Sequence, residues 1–321
     1  MELIILLLTL GCGSAPVLVQ TAPTEELSVC SEGPADGDPV VLIPGLSGCA
    51  YGFRKLTPLL HQQGLRTIII EPLAVGESSR PGDTDYTMTA QAERLGSVLD
   101  HLSVERAVFI GQGIGGAIVF RLAVERPELV AGFISVEAGP AEAAISPNTK
   151  NSLRLAKAVA MLGGKSLLRD RFAENLKEGS GNTDWIDRRT VGRYFRGMGR
   201  DIPASMDALT DMTKQIEPWA MTPRLGEILG PVVVLLGTAP HAGEMTSEDI
   251  DNLREGLRDL ELREVSGAGH FIYEEQPQVV ADAVEDLVAR LASAGGTLSV
   301  GSALVPGDDG AADLVQPGDS R

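Results

Sequence analysis

Short apolar runs alternate along this chain with amphipathic helical patterns, and this alternation limits the possible folds more than any other feature. Runs of four to eight β-branched and aliphatic residues, bounded by Gly or Pro, are typical of strands buried on both faces. Strand alternating with helix predicts an α/β fold with a mostly parallel sheet flanked by helices. The clearest runs are PVVLIP (39–44), RTIIIEP (66–72), RAVFIG (106–111), LVAGFISVEAG (129–139) and PVVVLLG (231–237).

One long stretch interrupts the alternation. Residues 141–225 contain amphipathic segments such as SLLRDRFAENLK and no convincing strand. We therefore predict a helical cap inserted after the sixth strand, with a core formed by residues 27–140 and 226–292. From 293 to 321 the chain is rich in Gly, Ala, Asp and Ser without a helical period, which predicts a disordered tail.

The N-terminus begins MELIILLLTLGCGSAP, an apolar run too short to span a bilayer. It stops at Cys12 and resembles a bacterial lipoprotein signal of residues 1–12, in which Cys12 would be lipidated and attach the protein to a membrane. The first residues include Glu2 and no Lys or Arg, so a non-secreted tail stays an alternative. The expected location is the periplasmic side of the cell envelope, or the cytoplasm if the signal is not used. Residues 13–26 read as a linker.

Charge and cysteine content exclude several classes of protein. The net charge of −17 argues against nucleic acid as a partner, because phosphate binding needs a basic face. Three cysteines are too few for a disulfide framework. His241 has no partner at metal-ligand spacing in the sequence, so we expect no metal and no cofactor.

The stretch GQGIGG, residues 111–116, lies between an apolar run and an apolar helical pattern. Strand, glycine-rich turn and helix in this order are typical of the sharp turn that presents a catalytic nucleophile. Gly113 occupies the place of that nucleophile and offers neither oxygen nor sulfur for a covalent intermediate. The alternative is a tight turn that needs glycines for packing alone.

Four glycine-containing segments follow strands or stand at the predicted turn, and they are IPGLSG (43–48), EPLAVGESSRP (71–81), FIGQGIGG (109–116) and GAGHFIYEEQP (267–277). In this order they resemble the α/β-hydrolase family, in the capped branch of epoxide hydrolases and haloalkane dehalogenases. The resemblance covers roughly residues 27–292 and implies a small-molecule ligand or substrate. It also implies an oxyanion hole formed by the backbone N–H groups of Leu46 and Ile114.

The same resemblance assigns the base and leaves the acid open. His270 falls where the family keeps its catalytic histidine. The usual acid follows the seventh strand, where this chain has Pro240 and no carboxylate before Glu244. Some dehalogenases of the family have their acid at the end of the sixth strand, which is the position of Glu137 in this chain. The resemblance therefore implies that Glu137 would orient His270. Alternatively, Glu137 only caps a neighbouring turn.

These changes favour a non-hydrolytic or catalytically weak member that binds a small apolar or acyl ligand under its cap. The alternative is an active hydrolase or lyase in which His270 and Glu137 work as acid and base without a covalent intermediate. Two further alternatives are a substitute nucleophile, such as Cys49 or Ser47, and a scaffold at the membrane. The sequence identifies neither the ligand nor the oligomeric state.

Overall fold

The computed structural model describes residues 16–143, 145 and 164–301. Its sheet has the order β1-β2-β4-β3-β5-β6-β7-β8, and β9 pairs with β5. Strands β3 to β8 are parallel, whereas β1, β2 and β9 are antiparallel to their neighbours. The predicted α/β class is confirmed. The strands are β1 (Val17–Ala22), β2 (Glu25–Glu32), β3 (Pro39–Ile43), β4 (Arg66–Glu71), β5 (Val104–Gln112), β6 (Val130–Val136), β7 (Val232–Gly237), β8 (Leu260–Val265) and β9 (Ser299–Val300).

Helices cover both faces of the sheet. One face packs against α2, α3 and α8, and the other against α1 and α10. Two 3-10 helices span Ala50–Lys55 and Thr222–Glu227. The α-helices are α1 (Thr57–Gln62), α2 (Met88–His101), α3 (Ile114–Glu125), α4 (Lys165–Glu178), α5 (Arg188–Tyr194), α6 (Arg196–Arg200), α7 (Ile202–Met212), α8 (Ser247–Gly256), α9 (Ile272–Glu275) and α10 (Pro277–Ser293).

Strand β3 shows why the central strands read as continuous apolar runs. All five of its residues are buried. Val41 and Ile43 belong to the hydrophobic cluster under α2 and α3, while Val40 and Leu42 belong to the cluster under α1 and α10. A strand with helices on both faces has no solvent side, so neither set of alternating positions can be polar.

Two predicted irregular segments contain strands. The predicted linker 13–26 includes β1, which pairs with β2 at the edge of the sheet, and Val19 is its buried position. The predicted disordered tail, 293–321, begins at the last residue of α10, and its residues Ser299–Val300 form β9 on β5. Both predictions are wrong for the same reason. These segments bury few side chains, so their composition does not predict a strand, but backbone hydrogen bonds pair them with the sheet. The predicted signal segment, Cys12 and residues 302–321 lie outside the described residues.

Between β6 and β7 the described residues form helices α4 to α7 and no strand. They belong to the stretch predicted as the cap; residues 144 and 146–163 of that stretch lie outside the described part. No helix in the described part of the chain is long and apolar enough to cross a lipid bilayer.

A buried arginine ties both ends of this insertion to the core. Arg121, on α3, is fully buried. Its guanidinium donates to Thr89 Oγ1 on α2 at 3.1 Å and to the carbonyl oxygens of Trp219 and Ala141 at 3.1 and 3.3 Å. Its Nε lies 3.4 Å from a carboxylate oxygen of Glu217. One side chain therefore contacts Ala141, the first residue of the insertion, and Glu217 and Trp219 near its end.

A second ion pair fastens the edge of the sheet, and it predicts a pH effect. Glu25, the first residue of β2, accepts hydrogen bonds from Arg94 Nε and Nη2 at 2.7 Å and from Thr84. The Arg94 hydrogen bonds lower the pKa of Glu25 below its usual value, although burial opposes them. A carboxyl with a lowered pKa in the folded state stabilises the fold above its unfolded pKa, and this is lost as the pH falls through the folded pKa.

We expect Glu25→Gln to lower the free energy of unfolding at pH 7 by roughly 1.5 kcal/mol, the low end for hydrogen bonds to charged groups. The deficit should begin to shrink as the pH falls below the unfolded-state pKa of about 4, and it should disappear below the lowered pKa of the folded carboxyl, where both states are protonated. Urea unfolding at several pH values measures it. Glu26→Gln, at the next position of the same strand, is the control and should have little effect. A deficit independent of pH would show that the charge is not what stabilises this edge.

Candidate functional site

The turn between β5 and α3 has the geometry of a nucleophile elbow. Gly113 has φ 54° and ψ −124°, a conformation that residues with a β-carbon avoid. A β-carbon on Gly111 would lie 2.5 Å from the Cα of Gly116, and one on Gly115 would collide with the carbonyl of Ile43. The neighbouring glycines are therefore needed for the close approach of strand and helix, whatever the pocket binds.

His270 faces the elbow. It lies in the loop after β8, where its backbone N–H donates to the carbonyl of Gly179 at 2.7 Å. The preceding N–H, of Gly269, donates to the Glu275 carboxylate at 3.2 Å, which fixes the loop from the other side. A β-carbon on Gly113 would lie 3.4 Å from His270 Nε2. The structure therefore brings together the two positions that the sequence assigns to nucleophile and base.

The other ring nitrogen of His270 lacks an acid. Its Nδ1 is buried and makes no hydrogen bond within the described residues. The residue of the loop after β7 that faces it is Gly243, whose β-carbon would lie 3.2 Å from Nδ1. Burial, together with the neighbouring charge of His241, lowers the pKa of His270 to about 4. Its imidazole is neutral at pH 7.

The sequence predicts that Glu137 orients His270, but within the described residues Glu137 makes no hydrogen bond or ion pair with His270. Its Oε1 accepts from the N–H of Gly237, and its Oε2 lies 3.3 Å from Nε2 of His241. The backbone explains the direction: Glu137 has φ 49°, a left-handed conformation that turns the side chain toward the loop after β7. Burial raises the pKa of Glu137, and the N–H of Gly237 opposes that rise. The hydrogen bond from Gly237 to Oε1 fits the alternative prediction, in which Glu137 caps a neighbouring turn.

The oxyanion loop follows β3 and is fixed against the elbow. The N–H of Gly45 donates to the side-chain oxygen of Gln112 at 3.1 Å. Leu46 comes next, and Ile114 is the first residue of α3. Neither the N–H of Leu46 nor that of Ile114 has an acceptor in the described part of the chain. Gln112 was not singled out in the sequence, although its place beside Gly113 was the available signal.

A cleft of about 460 Å³ connects these groups. Its floor consists of the elbow, the oxyanion loop and His270, and α4 and Gly179 of the insertion form part of its wall. Such a volume suits a small organic molecule. The residues at its centre are Leu46, Gly113, Ile114, Glu137, His270 and Phe271.

The candidate substitute nucleophiles gain no support. Cys49 is a free thiol, but it is buried away from the cleft, and burial raises its pKa. A thiol that stays protonated is a poor nucleophile. Ser47 lines the cleft. Within the described residues the hydroxyl group of Ser47 makes no hydrogen bond, so no base is in place to activate it.

The aromatic residues of the insertion hold it onto the core. Trp185 packs against Tyr194 and Phe271, with ring centroids 5.6 and 5.4 Å apart. Trp219 lies against the guanidinium group of Arg121, 4.5 Å from its ring centroid. Of these aromatic rings only Phe271 lines the cleft.

Comparison with known proteins agrees with this fold. The model of a family described as "alpha/beta hydrolase fold" matches residues 38–277. Haloalkane dehalogenase 2 of Mycobacterium bovis is 26% identical over 258 residues, which cover 77% of this chain and 87% of that protein. A haloalkane dehalogenase of Psychrobacter cryohalolentis is 36% identical over 115 residues, 35% of this chain and 38% of that protein.

Among solved structures, the epoxide hydrolase CorEH without ligand superposes with a TM-score of 0.69. The alignment covers 86% of this chain and 99% of that one, at 19% sequence identity. At this identity the likeness concerns the fold alone.

Proposed function

Since this chain belongs to the α/β hydrolase fold family and resembles its dehalogenase and epoxide hydrolase branch, we propose that it binds a small apolar or acyl-bearing ligand without forming a covalent intermediate. The ligand would lie in the cleft between the elbow and the helical insertion. One observation carries the proposal: the position that faces His270 Nε2 at the elbow is a glycine.

The missing nucleophile limits what chemistry remains. A covalent intermediate needs an oxygen or sulfur next to a base, and Gly113 supplies none. In a serine protease, removal of a triad member leaves only about 10³–10⁴-fold acceleration over water, from the oxyanion hole and binding. That residual activity is far below ordinary turnover. The unpartnered Nδ1 of His270 adds a second loss, because no acid orients the ring.

What is left suits binding of a carbonyl or similar acceptor. The free N–H groups of Leu46 and Ile114 would donate to one ligand oxygen, as an oxyanion hole does. Nε2 of the neutral His270 offers one further polar contact. The side chains of Phe271 and Met245 provide apolar wall. A few convergent polar groups in an otherwise apolar cleft are typical of ligand sites.

A second candidate is an enzyme that transfers protons without a covalent step. It is favoured by His270, whose imidazole is neutral at pH 7 and faces the cleft. In that case His270→Ala would abolish turnover of the substrate while Gly113→Ala would preserve it.

Covalent labelling tests the proposal. The purified protein is incubated with a fluorophosphonate probe and, separately, with p-nitrophenyl butyrate. We expect no adduct by intact-mass spectrometry and no ester hydrolysis that depends on His270. An adduct, or hydrolysis that His270→Ala removes, would refute a non-covalent role.

Blocking the cleft should weaken binding. Asn175 is an exposed residue of α4 that lines the cleft, so Asn175→Trp would place an indole in the opening. We expect at least a tenfold loss of affinity for octanoate or p-nitrophenyl butyrate, about 1.4 kcal/mol, measured by isothermal titration calorimetry. Glu174→Trp is the control, because Glu174 is exposed on the same helix and does not line the cleft. Equal effects of the two variants would locate the ligand elsewhere.

A further inference from the structure

We propose that Glu137, His241 and His270 bind a divalent transition-metal ion of the zinc class. Each residue offers one ligand atom, and the three atoms lie within 4.8 Å of one another. The atoms we assign as ligands are the buried ones that no hydrogen bond uses: Oε2 of Glu137, Nε2 of His241 and Nδ1 of His270. The inference concerns metal binding alone and is independent of the proposed function.

All three atoms are buried and none makes a hydrogen bond of good geometry within the described residues, although Oε2 of Glu137 and Nε2 of His241 form an ion pair at 3.3 Å and backbone groups of Gly243 and Met245 lie nearby. The side chains of His241 and Glu137 are 0% and 1% exposed. Buried polar atoms without partners are rare in folded proteins, and three at one point call for a common explanation. The pairing of Glu137 with His241 leaves Nδ1 of His270 without a hydrogen bond, whereas one cation between the three residues satisfies all three atoms at once.

The surrounding contacts already orient two of the ligands. Nδ1 of His241 donates to the carbonyl oxygen of Ala239 at 2.7 Å, so Nε2 is the ring nitrogen left to bind a metal ion. Metal-binding histidines commonly donate their second N–H to a backbone carbonyl in this way. Oε1 of Glu137 accepts from the N–H of Gly237, which leaves Oε2 as the free oxygen.

The spacing of the ligands fits a tetrahedral ion. Zinc bonds to nitrogen and oxygen measure about 2.0–2.1 Å, which places two ligands of a tetrahedron roughly 3.4 Å apart. Oε2 of Glu137 and Nε2 of His241 are 3.3 Å apart. Since no pair of ligand atoms exceeds 4.8 Å, the ligand nitrogen of His270 needs to approach by no more than about 1.5 Å to complete the same geometry.

The donor set selects the class of metal. Two imidazoles and one carboxylate suit Zn²⁺ and related transition metals, while Mg²⁺ and Ca²⁺ prefer oxygen donors alone. Three protein ligands leave the fourth position of a tetrahedron open, as in metal sites that bind water or a ligand. Glu137 and His270 both line the cleft, so this position would be accessible to a bound molecule.

Zinc titration of the EDTA-treated, tag-free full chain tests the proposal. Isothermal titration calorimetry with ZnCl₂ should give one equivalent for the wild type, and Co²⁺ should give the intense visible bands of tetrahedral coordination. Glu137→Gln, His241→Asn and His270→Gln should each lower zinc affinity by more than about 100-fold, since loss of an outer-shell contact alone costs 10–100-fold. His101→Gln, an exposed histidine on α2, is the control and should bind zinc as the wild type does.

Each variant is chosen to keep the fold. Glutamine at 137 keeps an oxygen for the N–H of Gly237, and asparagine at 241 keeps a donor for the carbonyl of Ala239. Circular dichroism and the melting temperature of the metal-free proteins check this. The proposal is overturned if the wild type binds no zinc, or if Glu137→Gln and His241→Asn bind it with unchanged affinity. Neither result depends on whether the cleft binds octanoate, so failure of one proposal is distinguishable from failure of the other.

Discussion

Replacing Gly113 with serine is expected to raise ester hydrolysis by about 10- to 100-fold over the wild type. The β-carbon fits, because it would lie 3.4 Å from His270 Nε2, an ordinary contact, and the hydroxyl can then reach that nitrogen. In a well-characterised serine protease, loss of the nucleophile costs about 2 × 10⁶ in kcat and loss of the acid alone about 3 × 10⁴. The ratio of these two losses shows that a nucleophile and a base without an acid still raise kcat by roughly 70-fold over a site without the nucleophile.

The same change should destabilise the protein. At φ 54° and ψ −124°, a β-carbon at position 113 costs about 1–3 kcal/mol. Gly113→Ala carries the same strain without the hydroxyl, so it is the matched control. We expect both variants to lose similar stability in urea, and only the serine variant to hydrolyse p-nitrophenyl butyrate faster.

Two outcomes would contradict this account of the elbow. If Gly113→Ser and Gly113→Ala are equally inactive while both fold, the oxyanion groups at Leu46 and Ile114 are not positioned for acyl transfer. If neither variant loses stability, the turn relaxes on substitution and the strain argument is wrong. Fluorophosphonate labelling of the serine variant separates the first case from a mere lack of affinity for the ester.

Arg121→Met is expected to lower the free energy of unfolding by about 3 kcal/mol, the low end for breaking a buried ion pair. Methionine fills part of the space but leaves the carboxylate of Glu217, whose side chain is 6% exposed, without its cation. The cost stays at the low end because that carboxylate still accepts from the backbone N–H groups of Met88 and Thr89. Guanidinium chloride unfolding measures the change.

Arg224→Met provides the control. Arg224 stacks on the ring of Trp219 at 4.3 Å, as Arg121 does at 4.5 Å, but it is partly exposed and pairs with Glu227 at the surface. Exposed ion pairs contribute about 0–1 kcal/mol, so this variant should unfold almost as the wild type does. A loss of similar size in both variants would assign the stability to Trp219 packing rather than to the buried charge.

The parts of the fold that the sequence predicts are those with a local cause. The central strands are buried on both faces, so runs such as RTIIIE contain no polar alternation and are recognised directly. Strands β1 and β9 depend on hydrogen bonds to β2 and β5, and these follow from where the chain lies, not from its composition. Glycine, proline and threonine near these segments predicted irregular structure instead.

The candidate site divides in the same way. Gly113 and His270 follow the carboxyl ends of parallel strands, and this topology brings such ends to one edge of the sheet. That Gly113 and His270 face each other was therefore predictable from the order of the motifs. The direction of Glu137 was not, because it depends on a left-handed φ of 49° at a residue that rarely adopts one. The sequence contained no reason to regard His241 as a metal ligand, because Glu137 and His270, which lie near it in the structure, follow other strands and are far away in sequence.

The short pairing of β9 with β5 has a practical use in surface-based assays. Ser299 and Val300 pair with Arg106 and Val104, at the amino end of β5, whereas Gly113 follows its carboxyl end. Nine residues of strand separate these ends by roughly 30 Å. A biotin or fluorophore attached at position 301 would lie on the side of the molecule opposite the cleft. Immobilised protein would then present its ligand opening to solution, so binding kinetics can be recorded without steric interference from the support.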